Sequence, residues 1–174
     1  MAKRLIQLSA AIDRVLTGVV VAFLAILVLV VLLQVFARYG LSSPPAWTEE
    51  AARYAMIWAG LLGATMSFKR RFDPALFTGG TGGSPVITRL SAIVRSLAVL
   101  LYFAPILLFC LVGADGRLER GFLYRHTHLM ADMLPFPTIF VAMAVPLMII
   151  AILVHLAAGW VGAVPLAAPP IEDE

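Results

Sequence analysis

Residues 15–36 read VLTGVVVAFLAILVLVVLLQVF, an apolar run that only Thr17, Gly18 and Gln34 interrupt. As a helix rising 1.5 Å per residue it is about 33 Å long, enough to cross a hydrocarbon core of about 30 Å. Lys3, Arg4 and Arg14 precede it, and Val35-Phe36-Ala37 imitates a small-x-small cleavage site, as in a signal peptide. The run exceeds the apolar region of a signal peptide, however, and further hydrophobic segments follow, so a first membrane span is the better reading.

Composition agrees. Of 174 residues 61% are hydrophobic and only 13% charged, which excludes a water-soluble globule. The length accommodates about four spans with short loops. Thirteen Lys and Arg stand against ten Asp and Glu, spread along the chain rather than gathered on one face, so nucleic acid is not an implied partner. The lone Cys110 lies in an apolar stretch and reads as a small buried hydrophobe.

Three more spans complete an all-α polytopic chain with four transmembrane helices, over about 15–36, 46–68, 88–113 and 136–160. Ser43 is the expected N-cap of the second, with Pro44 in its first turn and Lys69-Arg70-Arg71 closing it. Residues 72–85 form a Gly-rich linker without the GK[ST] of a phosphate-binding loop. Residues 114–134 form the other long loop, whose 115–125 segment could extend the third helix, with His126 and His128 as solvated residues or partner contacts. Pro137 and Pro146 read as helix-start and kink residues. Lys and Arg number seven at the N-terminus and second connector against five on the other side, which places both termini in the cytoplasm and loop 114–134 outside.

The second helix is the informative one. Its uncharged run, Tyr54 to Phe68, is only about 22 Å long, so Glu50 and Arg53 are drawn to the membrane edge or inside it. Glu49 and Glu50 are both within helical reach of Arg53, which cannot neutralise both. Arg38, at the end of the first span on the same side, is the nearest basic candidate for the surplus acid. Trp47, Tyr54 and Trp58 share one face, and Gly60/Ala64 and Gly63/Ser67 are small-x-x-x-small pairs that let a helix approach closely. An aromatic belt with snorkelling charges would use the same residues.

Gln34-Val35-Phe36-Ala37-Arg38-Tyr39, then Trp47-Thr48-Glu49-Glu50-Ala51-Ala52-Arg53-Tyr54, Trp58 and Gly63-Ala64 closely resemble the DctQ family, the small membrane subunit of tripartite ATP-independent periplasmic (TRAP) transporters. Pro137 and Pro146, nine residues apart, extend the likeness to the last helix. The chain departs after the basic cluster, where Phe72-Asp73-Pro74 and the Gly-rich linker replace the family's histidine and amphipathic stretch. The resemblance implies a subunit of a bacterial inner-membrane system for sodium-coupled uptake of organic acids. A periplasmic solute-binding protein delivers the substrate, a large membrane subunit moves it, and the small subunit packs on the large one's static scaffold amid membrane lipids.

The residues themselves fit an auxiliary role. The central parts of the first, third and fourth helices hold no ionisable group, whereas a chain that binds an anion within the membrane needs one. Catalysis, a metal and a cofactor find no motif. A redox-enzyme anchor would need paired histidines at depth, where His155 stands alone; a small self-contained exporter is the other rival. The expected contact surface comprises Arg38, Trp47, Glu49, Glu50, Arg53, Tyr54, Trp58, Gly60, Gly63 and Ala64.

Overall fold

A computed structural model describes residues 2–70, 85–113 and 115–162. Among these the chain is helical, with one isolated β-bridge between Met130 and Pro137. The helices are α1 (Ala2–Gly40), α2 (Trp47–Arg70), α3 (Pro85–Leu111), a 3-10 turn (Leu118–Arg120), α4 (Phe122–His128), α5 (Ile139–Ala142) and α6 (Ala144–Trp160). The linker 72–84, Arg71 and the acidic tail lie outside the described residues.

Three helical stretches are long and apolar enough to cross a membrane: Ala2–Gly40, Arg89–Leu111 and Ile139–Trp160. These make the chain an integral membrane protein. α2 is not among them: its 24 residues would measure about 36 Å, but its entrance is charged and much of its length is Ala, Gly, Thr and Ser.

α1 begins well before its apolar run and continues to Gly40. The chain then reverses at Ser42, which takes a left-handed φ of 54° while Ser43 N–H returns to the Ala37 carbonyl at 3.1 Å. α2 starts at Trp47, four residues after the expected N-cap Ser43. The second proline is the cause. A residue before proline is disfavoured in the α region, so Pro44-Pro45 holds both Ser43 and Pro44 out of a helix. Thr48 closes the first turn instead, its Oγ1 donating to the Pro45 carbonyl at 2.7 Å.

The 115–125 segment does not extend the third helix. α3 stops at Leu111 and the chain folds back, so a side-chain carbon at Gly121 would collide with the Leu111 carbonyl and one at Gly113 with Arg120. Only glycine permits that approach. The last span is divided at Met143, three residues before Pro146, whose missing N–H leaves the Ala142 carbonyl without its helical donor.

α1 and α2 form the most extensive pair, α6 lies against both, and α3 packs on α6 and α4. The α2 side of the core buries Ala55, Ala59 and Thr65 around one large side chain, Leu62. On α6 the buried Met148, Ile149 and Ile152 meet Leu61 and Phe68 of α2 and Val99, Phe103 and Ile106 of α3. Cys110 is buried, as expected of a small hydrophobe. Close pairs fix the antiparallel register: Phe23 faces Trp58, and Asp13 faces Lys69.

Candidate functional site

The acidic entrance of α2 divides into an inward and an outward half. Glu50 points inward and is 7% exposed. Its Oε1 accepts from the Tyr54 hydroxyl at 2.6 Å and the Asp132 N–H at 3.1 Å; Oε2 accepts from the N–H groups of Met133 at 2.7 Å and Leu134 at 3.1 Å. Three successive backbone donors curve around one carboxylate, an anion nest filled by the chain's own side chain. Such charge-assisted bonds are the strong kind. The surplus acid is therefore balanced by peptide groups of residues 132–134 and not by Arg38, which is exposed at the end of α1. The sequence carried no sign of this, because any residue but proline supplies an N–H.

The loop that donates is itself a tight turn. Ala131 N–H bonds the Phe136 carbonyl at 3.1 Å and Thr138 N–H the Leu129 carbonyl at 2.8 Å. Thr138 Oγ1 lies 2.8 Å from His126 Nδ1, so His126 is tied to this turn rather than solvated, while His128 stays exposed beside Tyr124.

Trp58 also faces inward. Its ring stacks on Phe23 with centroids 5.3 Å apart and planes 5° apart, and its Nε1 donates to the Phe140 carbonyl at 3.1 Å. One indole thus joins α1, α2 and α5. Tyr54 packs beside Phe136 at 6.2 Å as well as bonding Glu50. Of the residues singled out on the sequence, Glu50, Tyr54 and Trp58 are engaged within the chain.

The others lie outward. Arg53 pairs with Glu49 at 3.3 Å, both side chains more than half exposed. Below this pair, and before Arg70 at the far end, the exposed positions of α2 are Met56, Gly60 and Ala64, spaced four residues apart along one face. A side-chain carbon added at Gly60 or Gly63 would meet no atom within 4 Å. Neither glycine is required by packing inside the chain, although glycine within a helix costs about 0.5–1 kcal/mol relative to alanine. The contrast with α1 is sharp: α1 exposes Leu24, Val28, Leu29, Leu32, Val35 and Phe36, whereas α2 exposes only Trp47 and Met56 among large apolar residues.

Residues 27–165 match the family model described as the DctQ component of tripartite ATP-independent periplasmic transporters. The chain belongs to the DctQ family. A protein of Haemophilus influenzae named as a TRAP transporter small permease is 38% identical over 62 residues, which are 36% of this chain and 38% of that protein. The matched region thus spans well under half the length of that relative. No solved structure matches. Membership places the chain among transport components and not in an enzyme family.

Proposed function

We propose that this chain is the small permease subunit of a TRAP transporter in a bacterial inner membrane. In this reading it crosses the bilayer four times, α2 crossing in addition to the three long apolar stretches, with both termini cytoplasmic. It braces the large subunit that carries out sodium-coupled uptake of an organic acid brought by a periplasmic solute-binding protein. Family membership supports the role, and so do the central parts of α3 and of the last span, which hold no Asp, Glu, Lys, Arg or His.

The exposed face of α2 carries the assignment of the contact. A face turned to lipid is expected to be large and apolar, as it is on α1. That of α2 is Glu49, Arg53, Met56, Gly60 and Ala64, with Gly63 beside it. Small residues with no neighbour inside the chain suit the close approach of a foreign helix, and the Arg53–Glu49 pair gives that helix a polar group to bond at the membrane edge. Arg38 and Trp47 flank the same outer end, while Glu50, Tyr54 and Trp58 contribute by holding α2 in place.

The test is co-purification of the large subunit with tagged small subunit. Gly60→Leu and Arg53→Glu each should lower recovery by about tenfold, equivalent to about 1.4 kcal/mol of association, and lower uptake in parallel. Met133→Ala, on the outer loop, should leave both unchanged. Full recovery and uptake in both α2 variants would remove this face from the contact.

A further inference from the structure

At the opposite end of the bundle the start of α1 and the end of α6 border a cleft of about 440 Å³, lined by Ala2, Leu5, Leu8 and Val161, with Arg4 as its one charged residue. Its size falls within the roughly 300–1,000 Å³ of a ligand pocket. The two helices are pinned together beside it, with Ser9 Oγ 2.8 Å from His155 Nδ1 and Lys69 Nζ donating to the Ser9 carbonyl at 3.0 Å. Leu8 and Val161 nonetheless stay exposed. The one acid nearby, Asp13, is taken by Lys69 at 3.3 Å and Arg70 at 3.6 Å. Lys3 and Arg4 are exposed and pair with no acid among the described residues.

The chain that follows Val161 leaves from the wall of this cleft. Gly162 N–H returns to the Gly159 carbonyl at 3.2 Å and Gly162 takes a left-handed φ of 93°, which turns the chain off the axis of α6. Next come Ala163-Val164-Pro165-Leu166-Ala167-Ala168-Pro169-Pro170-Ile171, nine residues with no charge and no hydrogen-bonding side chain, and then Glu172-Asp173-Glu174. Ten residues reach up to about 33–36 Å, several times the roughly 9 Å from Ala2 to Leu8 along α1. The segment therefore carries what the cleft lacks, an apolar cover and, within reach of Lys3 and Arg4, a cluster of acids. A lipid chain suits the place less well. The cleft begins about 8 Å along α1 beyond Asp13, past the ionic groups of α2, whereas the apolar run that enters the membrane starts only at Val15. An anionic membrane surface would also repel the acidic end.

We propose that residues 163–174 fold back into this cleft as a strap across the two helix ends, the apolar stretch covering Leu5, Leu8 and Val161 and the acidic end pairing with Lys3 and Arg4. Tethering favours this occupant over a separate one, because a short linker holds its segment at an effective concentration in the mM range. The strap depends neither on the orientation nor on the role proposed above, since every group in it belongs to this chain.

The test places the full chain in phosphatidylcholine nanodiscs, one copy in each, and follows amide exchange at Ile6, Gln7 and Leu8 of α1 by NMR. Glu172→Lys with Asp173→Lys and Glu174→Lys should speed exchange there about tenfold, and Leu166→Ser with Ile171→Ser should do the same. Lys3→Glu with Arg4→Glu decides between the strap and a simple effect on the helix. Acids in a first turn by themselves favour a helix start and would slow exchange, whereas loss of the strap should speed it. Adding the three tail reversals to that pair should bring exchange back to the rate of the unaltered chain. Unchanged exchange in both tail variants would overturn the proposal, as would slower exchange in Lys3→Glu with Arg4→Glu. Protection that appears only with two copies in a disc, or only in phosphatidylglycerol, would give the cleft to a second chain or to the lipid and would overturn it too.

Discussion

Glu50 shows how one side chain can organise a distant segment. Its carboxylate holds three successive N–H groups more than 80 positions along the chain, and a glutamine could not replace it without presenting an NH₂ to donors. Glu50→Gln should therefore speed amide exchange at Asp132, Met133 and Leu134 by about tenfold or more, with Ile149 and Ile152 in α6 little changed. Equal protection in the variant would show that the turn between Leu129 and Thr138 is held by its own bonds. Trp58 acts similarly through its indole N–H. Trp58→Phe keeps a ring against Phe23 but leaves the Phe140 carbonyl without that donor, which should cost about 1–3 kcal/mol. Denaturant titration in mild detergent measures it, and a loss below about 0.5 kcal/mol would mean that the carbonyl finds another donor.

At the scale of elements, the helices were legible in the sequence and their ends less so. The apolar run 15–36 reports its own depth in a membrane but not that the helix continues to Ala2, because residues 2–14 are held by pairing with α2 and α6. Ser43 has the chemistry of an N-cap, but the restriction set by the second proline prevails. The small-residue spacing of α2 was readable in the sequence. Which side each residue takes was not, since an i,i+4 spacing places Trp58, Tyr54 and Glu50 together without saying whether they face the chain's own helices or another's. Asp13 is the opposite case. It is the only acid between the N-terminus and Arg38, in a stretch holding Lys3, Arg4 and Arg14, and that isolation was a usable sign of a partner. The α6 core permits a further estimate: Ile149 is fully buried between α2 and α3, so Ile149→Ala should destabilise the fold by about 2–5 kcal/mol. A value under 1 kcal/mol would imply that α3 moves in to fill the space.

For the molecule as a whole, the two ends of the bundle differ in what holds them. Ser9 near the start of α1 bonds His155 near the end of α6, and Ala2 and Val161 line one cleft, so both ends of the described chain lie together. The loop from Gly113 to Thr138 lies at the other end, with the entrance of α2. The described cations nearer the termini are Lys3, Arg4, Arg14, Lys69, Arg70, Arg89 and Arg95, and Asp13 pairs with two of them. Acidic residues weigh little in the rule that sets orientation, so this pairing should not weaken the bias toward a cytoplasmic location for that end. The same geometry bears on α2: its N-terminus lies with the 129–138 turn through Glu50 and its C-terminus with the start of α1 through Lys69, so it runs the length of the bundle despite its charged entrance. Alkaline phosphatase fusions, active only outside the cytoplasm, convert this into a measurement. Fusions after Ser43 and after Gly116 should be active, and fusions after Arg70 and after Trp160 inactive. The reverse pattern would invert the orientation, and activity after both Ser43 and Arg70 would show that α2 packs along the bundle without delivering its C-terminal end to the cytoplasm.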